Sequence, residues 1–218
     1  MTNPQRPGDA ALILIGAGGH ARVLLALAQA LGHRLLGVID PVLAREGLTS
    51  WQSVAVLGDD DALLARDPAA AGLINGVGQL PRQRARRSVH ERFCAAGFHF
   101  PVLVHPHAWV APDVALAEGV QVMAGAVVQP DCRIGAGSTV NTGARIDHGC
   151  DVGAHVHIAP GAVLCGEVRV HDGAFVGAGA ILLPGVTVGA GATVAAGSTL
   201  SQHLAAGAVH HRPTHHSP

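Results

Sequence analysis

The stretch Val140-Asn-Thr-Gly-Ala-Arg-Ile146-Asp-His-Gly-Cys-Asp-Val152 decides the fold, because an aliphatic residue returns in it at every sixth position. The same spacing continues in both directions without an insertion, so the repeat runs from Val104 to Leu200. Such a long run of one period is typical of a repeat architecture rather than of one irregular core. The column has seventeen members, each of them Val, Ile or Leu: Val104, Val110, Leu116, Val122, Val128, Ile134, Val140, Ile146, Val152, Ile158, Leu164, Val170, Val176, Leu182, Val188, Val194 and Leu200.

A second column follows the first at a distance of four residues, and all of its members are small or β-branched. Two inward columns in every six residues, one large and one small, predict a hexapeptide β-helix. We expect glycines such as Gly135, Gly153, Gly177 and Gly189 to form tight turns at its corners, because glycine tolerates unusual backbone angles. The second column consists of Ala108, Val114, Val120, Ala126, Cys132, Ser138, Ala144, Cys150, Val156, Ala162, Val168, Ala174, Ala180, Val186, Ala192 and Ser198.

The first hundred residues show a different pattern, in which short apolar runs alternate with helical segments. Strands that alternate with helices indicate a small Rossmann-like parallel α/β domain. Asp59 is expected to cap the second helix, and Gly32 and Gly97 are expected to end the first and the third. The predicted strands are 11–15, 35–39, 54–57 and 73–77, and the predicted helices are 21–31, 60–66 and 81–96.

The chain therefore divides near residue 100. We expect the Rossmann-like domain at 1–100, the β-helix at 101–203, and a flexible tail at 204–218 that is rich in histidine. A histidine-rich end is also capable of weak metal binding.

Composition excludes several classes of protein. Charged residues make up 13% of the chain and hydrophobic residues 49%, so we do not expect a disordered protein. Fourteen Lys and Arg against fifteen Asp and Glu give a net charge of -1, which offers no basic surface for nucleic acid. No apolar run reaches the roughly 18 residues of a membrane span, and Ala10–Ile15 lacks the cleavage site of a signal peptide. We therefore expect a cytoplasmic protein with buried thiols, no membrane insertion and no metal.

Four motifs, in this order, resemble those of one bacterial family. They are Gly16-Ala-Gly-Gly-His20 after the first strand, Val38-Ile-Asp40 after the second, and Asn141-Thr-Gly-Ala-Arg-Ile-Asp-His148 and His157-Ile-Ala-Pro-Gly161 within the hexads. From Gly16 to about Ser201 the chain resembles the NeuD-like, or sialic acid O-acetyltransferase, family of bacterial sugar acetyltransferases in the hexapeptide-repeat superfamily. This family includes N-acetyltransferases that act on nucleotide-linked 4-amino sugars.

The resemblance implies a left-handed parallel β-helix in which three hexads form one coil, so that residues eighteen apart stack. Cys132 and Cys150 then stack in the interior, which accounts for them without a disulfide or a metal. The resemblance further implies an acetyl-CoA-dependent homotrimer with active sites between subunits. Its other substrate would be a UDP- or GDP-linked amino sugar, held by the first domain.

The glycine-rich segment that follows the first strand is the first candidate site. Glycines there let the backbone approach a ligand, and the N–H groups of a helix N-terminus suit a phosphate, although a plain tight turn is the alternative. Asp40, at the end of the second strand, would accept hydrogen bonds from a ribose or base, or would simply end the strand. The family's nucleotide or sugar site falls on Gly18, Gly19, His20 and Asp40.

Two residues farther along are weaker candidates for contact with the substrate. Gly76 lies in the loop after the fourth strand, and Arg82 lies nearest the expected start of the third helix, where an arginine would pair with phosphate. The alternative is that this arginine belongs to a solvated helix face.

His148 is the candidate catalytic base. It occupies the third position of its hexad, so its side chain points outward near a corner, where an imidazole contributes little to packing. The resemblance implies that it removes a proton from the acceptor amine or hydroxyl, with Asp147 beside it and Asn141 bonded to the sugar or forming a turn. Histidine suits this task because it titrates near neutral pH.

Many members of the family carry an acid directly after this histidine, but this chain has Gly149 there. We expect Asp113, Asp131, Asp151 or an acid of a neighbouring subunit to replace it, or else an acceptor that needs little activation. An amine is such an acceptor and a hydroxyl is not, so the missing acid favours N-acetylation.

The resemblance also implies an acetyl-CoA site. His157 would contact the coenzyme, and its sixth hexad position points outward. Gly166 comes eighteen residues after His148, so it would stack above it, leave room for the thioester and offer a backbone N–H to the oxyanion. Ala178 and Ala196 would lie farther up, along the pantetheine arm.

The sequence thus predicts transfer of an acetyl group to the 4-amino group of a nucleotide-linked sugar. The alternatives are O-acetylation of sialic acid or a related sugar, and a non-catalytic trimeric scaffold or sugar-nucleotide sensor. A carbonic-anhydrase-like β-helix would need three histidine ligands across a subunit interface, for which His148, His155 and His157 are the available set.

Overall fold

The structure is a computed structural model that describes residues 11–211. It divides into two compact units. The first comprises the residues up to Gln79 together with Gln83–Leu103, and the second comprises Leu80–Arg82 and the residues from Val104 onward. None of the helices within the described residues has the length and hydrophobicity needed to cross a membrane.

The first unit is built on one sheet, as the alternating pattern predicts. Its strands are β1 (Leu12–Ile15), β2 (Leu35–Ile39), β3 (Ser50–Trp51), β4 (Val54–Gly58) and β5 (Gly72–Asn75). Their order is β3-β4-β2-β1-β5, and every pairing is parallel except that of β3 with β4. All four residues of β1 are buried, as expected for a central strand.

Four helices accompany this sheet: α1 (Gly19–Ala30), α2 (Pro41–Arg45), α3 (Asp60–Leu64) and α4 (Ala85–Ala95). Asp59 caps α3 as predicted, because its carboxylate accepts the N–H of Ala62 at 3.0 Å. The predicted start of the last helix at residue 81 is wrong. Arg82 has a φ of +63°, which a right-handed helix excludes, so α4 begins only at Ala85.

The second unit is the predicted β-helix. Its strands are two residues long and stack in parallel on three faces, each pairing with the strand three further along the chain, eighteen residues away, except that β21 pairs with β23, sixteen residues away. The first face holds β6 (Leu103–Val104), β9 (Gln121–Val122), β12 (Thr139–Val140), β15 (His157–Ile158), β18 (Phe175–Val176), β21 (Thr193–Val194) and β23 (Val209–His210). The second holds β7 (Trp109–Val110), β10 (Val127–Val128), β13 (Arg145–Ile146), β16 (Val163–Leu164), β19 (Ile181–Leu182) and β22 (Thr199–Leu200). The third holds β8 (Ala115–Leu116), β11 (Arg133–Ile134), β14 (Asp151–Val152), β17 (Arg169–Val170) and β20 (Thr187–Val188).

Both six-residue columns form the interior of the β-helix. From Val120 to Leu200 their members are buried, and all except Ser138 and Ser198 belong to one continuous apolar cluster. The first few members at the N-terminal end pack against this cluster and are partly buried. The aliphatic residue is the second residue of each strand, and the small residue comes just before the next strand. This alternation fills each coil with one large and one small side chain per face.

The glycines at the corners form two groups, one that adopts a positive φ and one that allows the close approach of the next coil. One position in every six from Gly119 to Gly197 has a φ near +65°, and the residues other than glycine at these positions are Asp131, His155 and Glu167. These are the turn positions, because the left-handed region favours glycine.

The predicted role of Gly135, Gly153, Gly177 and Gly189 as turn residues is wrong, since none of them has a positive φ. A Cβ at Gly135 would lie 2.4 Å from the carbonyl carbon of Gly153. These glycines are therefore required for the close approach of successive coils.

The expected tail at 204–218 begins too early. Val209–His210 forms β23 and pairs with β21, which extends the first face beyond residue 203. Residues 212–218, with two of the tail's four histidines, lie outside the described residues.

Candidate active site

In the first unit, three loops meet at the carboxyl edge of the sheet. Strand β1 lies between β2 and β5, and the chain runs outward through β2 and β4 before it returns to β5 on the other side. The strand order therefore reverses between β1 and β5. In open α/β sheets, ligands bind in the crevice outside the carboxyl ends of the strands at such a point.

The loop between β1 and α1 leaves the N-terminus of α1 open. Gly18 is the N-cap of α1 and makes no side-chain cap, and a Cβ at Gly18 or Gly19 would meet nothing within 4 Å. The first-turn N–H groups are thus accessible to an anion, as a phosphate site requires. His20 lies in this turn, and its Cβ is 4.0 Å from where a Cβ of Gly78 would be.

Asp40 ties two loops together. Its Oδ2 accepts the N–H of Ala17 at 2.9 Å, and its Oδ1 accepts those of Val42 at 2.9 Å and Leu43 at 3.1 Å. The carboxylate caps α2 and holds the glycine loop in place. Its predicted contact with a ribose or base stays a prediction. Such a contact would have to use the carboxylate lone pairs that these three backbone N–H groups leave free.

Arg86 braces the loop after β5, which sequence reasoning missed. Its Nη1 donates to the carbonyl oxygens of Asn75 at 2.7 Å and Val77 at 3.0 Å, while the Asn75 side chain donates to the carbonyl of Arg86 at 2.8 Å. Burial lowers the pKa of Arg86 to about 10. The arginine-rich pattern alone suggests a solvated face, so only the structure distinguishes this buried arginine.

Gly76 and Arg82, the two weaker candidates for contact with the substrate, have different structural roles. Gly76 is buried, and a Cβ there would lie 2.7 Å from the carbonyl oxygen of Ile15, so its role is close packing of the loop. Arg82 is an exposed turn residue ahead of α4 rather than a helix-start residue, which removes the reason for choosing it over its neighbours.

His148 lies at the corner between the second and third faces, between β13 and β14. We call residues 130–131, 148–149, 166–167 and 184–185 the His148 corner. The imidazole is exposed and lies over Gly166 in the next coil. A Cβ at Gly166 would stand only 2.6 Å from Cε1 and 2.7 Å from Nε2 of His148.

An open cleft of about 520 Å³ surrounds this imidazole. The backbone N–H of Gly166 donates to no residue within 11–211, so it is a spare donor beside the ring. The equivalent positions one coil above and two coils below, Pro184 and Pro130, have no N–H, which shows that the fold does not use a hydrogen bond there. The cleft is lined by Asp147, His148, Cys165, Gly166, Glu167, Pro184 and Gly185.

The acids near His148 differ in their availability. Asp147 accepts the backbone N–H of His148 at 2.8 Å, Asp113 accepts that of Asp131 at 2.7 Å, and Asp151 pairs with Arg133 at 3.0 Å. Glu167, which sequence reasoning did not consider, lines the cleft with a carboxylate that bonds to none of the described residues.

The other predicted site residues are not close to His148 within one chain. Asn141 forms a turn, with its Oδ1 accepting the N–H of Thr142 at 2.8 Å, and it lies at the corner between the first and second faces. Ala178 and Ala196 lie at that same corner between the first and second faces. They follow Gly166 by twelve and thirty residues, and neither distance is a multiple of the eighteen-residue coil. The prediction that they continue the column of Gly166 is therefore wrong.

His157 lies on the first face rather than at a corner. It is 7% exposed, and its ring stacks on Phe175 of the next coil with 5.0 Å between centroids and 6° between planes. Its position in the strand points away from the interior of the β-helix, as predicted, but the side chain is buried against Phe175.

Cys132 and Cys150 stack in the interior, as predicted. Their thiols donate to the carbonyl oxygens of Asp147 at 3.1 Å and Cys165 at 3.2 Å. The hydrogen bond with Cys132, together with burial, raises the pKa of the Cys150 thiol far above its usual range. A thiol held in this form is a poor nucleophile.

Among residues 11–211, no three His, Cys, Asp or Glu side chains come together as a metal site. His148, His155 and His157 lie at two different corners and on the first face, respectively. Any metal site made from these three would need more than one copy of the chain.

Three family models match the chain. The PglD N-terminal domain matches residues 11–93, the hexapeptide repeat of succinyl-transferase matches 130–159, and the bacterial transferase hexapeptide of six repeats matches 167–202. Curated protein sequences contain no match.

Solved structures match over nearly the whole chain. The acetyltransferase domain of PglB from Neisseria gonorrhoeae is 36% identical, with a TM-score of 0.82 over 90% of this chain and 93% of that one. PerB from Caulobacter crescentus, in complex with CoA and GDP-perosamine, is 34% identical, with a TM-score of 0.83 over 93% of this chain and 94% of that one. WeeI from Acinetobacter baumannii shares the fold at 18% identity, with a TM-score of 0.75 over 91% and 95%.

Proposed function

Because the chain belongs to the NeuD- and PglD-like family of sugar acetyltransferases, we propose that it transfers the acetyl group of acetyl-CoA to the 4-amino group of a nucleotide-linked amino-deoxy sugar. The observation that carries this proposal is the His148 imidazole, which is exposed in an open cleft directly over Gly166. Related structures support the substrates, since the PglB domain has been solved with acetyl coenzyme A and PerB with CoA and GDP-perosamine.

His148 acts as the general base in this reaction. The nitrogen of the sugar attacks the thioester carbonyl, and the imidazole takes the proton that the amine loses. The C–N bond forms first and gives a tetrahedral intermediate with a negatively charged oxygen. The C–S bond then breaks as the carbonyl re-forms, and the leaving thiolate takes the proton back from the imidazolium to give CoA. The bound amine attacks directly, so no acyl-enzyme forms, which agrees with the inward direction of Cys132 and Cys150.

The spare N–H of Gly166 stabilises the charge that develops on the thioester oxygen. A backbone donor fixed in place before the reaction needs no reorganisation as the charge appears. Because Gly166 lies directly beside the imidazole, base and donor reach the same carbonyl carbon from one corner.

The first unit holds the nucleotide of the sugar substrate. The open N-terminus of α1 at Gly18 and Gly19 receives the diphosphate, with His20 beside it. Asp40 and Arg86 keep the two loops around this site in position.

The active enzyme is a homotrimer with acetyl-CoA between copies of the chain. Ala178 and Ala196 lie at a different corner from His148, so one chain supplies only part of the predicted site. The second face carries exposed Trp109 and Ile181, whereas the third face carries the exposed Arg133 and Arg169. The second face also carries the exposed Arg145, but it has the larger share of exposed apolar side chains, which suits contact with a second copy better.

The test is thiol release from acetyl-CoA with a panel of UDP- and GDP-linked 4-amino sugars and free sialic acid. We expect turnover with an amino sugar, reduced about a hundredfold or more in His148→Ala, since a general base contributes that much. His171→Ala removes an exposed histidine from another corner and serves as the matched control.

Each other result points to a different function. Turnover with sialic acid alone indicates O-acetylation. Normal turnover in His148→Ala contradicts the assignment of the base. Tight nucleotide-sugar binding without any turnover indicates a sensor or scaffold.

A further inference from the structure

Gly149 leaves a gap beside the catalytic base. It follows His148 directly and contributes no side chain to the cleft. A Cβ at Gly149 would lie 3.4 Å from Cγ of Glu167, one coil above. The side chain of Glu167 therefore borders the space that a side chain at position 149 would enter.

Glu167 and His148 are held side by side. The N–H of Glu167 donates to the carbonyl oxygen of His148 at 2.9 Å, which fixes the two backbones in adjacent coils. Both side chains line the same cleft. The carboxylate of Glu167 has no hydrogen bond or ion pair with any residue within 11–211, so it is available to a nearby donor.

Glu167 occupies a turn position whose backbone conformation favours glycine. Its φ is +62°, at a position where the neighbouring coil has Gly185 with a φ of +70°. A residue with a Cβ is disfavoured in this conformation, and such strain persists at functional sites. Asp131 and His155 adopt the same conformation at equivalent turns, with φ of +61° and +55°, so the fold accepts a side chain there and the role of Glu167 follows from its neighbours.

The imidazole lies over the coil that carries Glu167. Its Cε1 and Nε2 approach Gly166, which directly precedes Glu167 in the upper coil. Asp131 belongs to the coil below, on the opposite side of His148. Asp113 and Asp151 are already bonded to other groups.

We infer that Glu167 is the positioning residue of His148. The exposed Glu167 side chain is not bonded to the ring in the structure, and a rotation about its side-chain bonds brings the carboxylate to one imidazole nitrogen. The hydrogen bond that it then accepts holds the ring in one orientation and one tautomer. The other nitrogen is then left to take the proton of the substrate amine. This inference rests on the proposed function, because it takes His148 to be the base. The acid that adjoins the base is supplied by the next coil instead of by the next residue.

The test uses the full chain and compares kcat and KM for Glu167→Gln and Glu167→Gly with those of wild type. We expect kcat to fall roughly tenfold to a hundredfold, as for other groups that orient a functional histidine, with KM for acetyl-CoA unchanged. Glu167→Gly removes the strained backbone, so its thermal midpoint should equal or exceed that of wild type and exclude misfolding.

A second substitution should rescue the activity. Adding Gly149→Glu to Glu167→Gly returns a carboxylate to the same space from the other coil, and we expect most of the lost kcat to return. Arg169→Ala is the control, because Arg169 lines the cavity on the other side of Glu167 together with His203. A wild-type kcat in Glu167→Gly, or an equal loss in Arg169→Ala, would overturn the inference.

A readout without substrate separates this inference from the proposed function. Diethyl pyrocarbonate modifies accessible histidines, and peptide mass spectrometry measures the rate at each one. We expect slower modification of His148 in Glu167→Gln and no change at His171. Equal rates at His148 would overturn the contact. A slower rate in a protein that acetylates no sugar would support the contact and contradict the proposed function.

Discussion

The interior of the β-helix and the His148 corner share the same eighteen-residue step and use it differently. In the interior, each coil repeats the chemistry of the last, with a buried aliphatic and a buried small residue on every face. At the corner the backbone repeats but the side chains change from coil to coil, through Pro130–Asp131, His148–Gly149, Gly166–Glu167 and Pro184–Gly185. The interior residues, whose chemistry repeats, stabilise the fold. The residues of the His148 corner, which change from coil to coil, include the candidate catalytic groups.

The largest expected effect comes from breaking the interior. Ile134→Ala removes a side chain that is 1% exposed and leaves a cavity that rigid stacked coils cannot close. We expect a loss of about 2–5 kcal/mol in the free energy of unfolding, measured by denaturant titration. A much smaller loss would show that the coils adapt and that the interior is less constant than its pattern suggests.

A change at the corner should affect activity more than stability. Gly166→Ala places a methyl group within 3 Å of the His148 ring, which must turn away, and an exposed ring does so easily. We expect at least a tenfold loss of kcat, equal to about 1.4 kcal/mol. The denaturation midpoint should remain that of wild type. Unchanged kcat would mean that the observed ring position is not the reactive one.

The pH dependence of stability tests the buried cysteine pair. The pKa of the Cys150 thiol is raised in the folded chain, by its hydrogen bond with Cys132 and by burial. Above the usual thiol pKa of about 8.5, the unfolded chain loses this proton while the folded chain keeps it, so stability falls as pH rises. The same hydrogen bond lowers the pKa of the Cys132 thiol, which favours the folded chain as pH rises until that thiol is deprotonated in both states. Unfolding midpoints between about pH 9 and 10.5, where only the Cys150 proton still distinguishes the two states, should therefore show a weaker decline in Cys150→Ala. Identical slopes would contradict the raised pKa.

The smallest expected effect is that of Arg133→Ala, the neighbour of Ile134 in β11. Arg133 points away from the interior and pairs with Asp151 at 3.0 Å, and both side chains are exposed. Exposed ion pairs contribute little to stability because water and salt screen them. We expect no measurable shift of the denaturation midpoint. A clear shift would mean that the outer surface of the third face also stabilises the fold.

The sequence was sufficient for the fold because the aliphatic and small columns are set by burial alone. It failed at the corners, where Gly135 avoids a clash with the next coil and Gly149 provides a left-handed turn. A six-residue period does not distinguish these two requirements. Only the coil geometry shows which glycines face a neighbouring backbone.

The candidate site was predictable only in part, for a related reason. The outward position of His148 and both stacked pairs, His148 with Gly166 and Gly149 with Glu167, follow from the eighteen-residue step. Which acids near the corner are bonded to other groups depends on side-chain contacts that the repeat does not reveal. Arg86 was hidden because its burial depends on the carbonyl oxygens of Asn75 and Val77, which no side-chain pattern reveals.

Because the step between coils is uniform, the number of coils sets the length of the β-helix. Each coil adds eighteen residues and one strand spacing, about 4.8 Å, to its length. Loss or gain of one whole coil above His148 would keep every interior column in register and leave the His148 corner intact. The length of the surface above His148 can therefore evolve in steps of one coil, and so can the length of any ligand that binds along it.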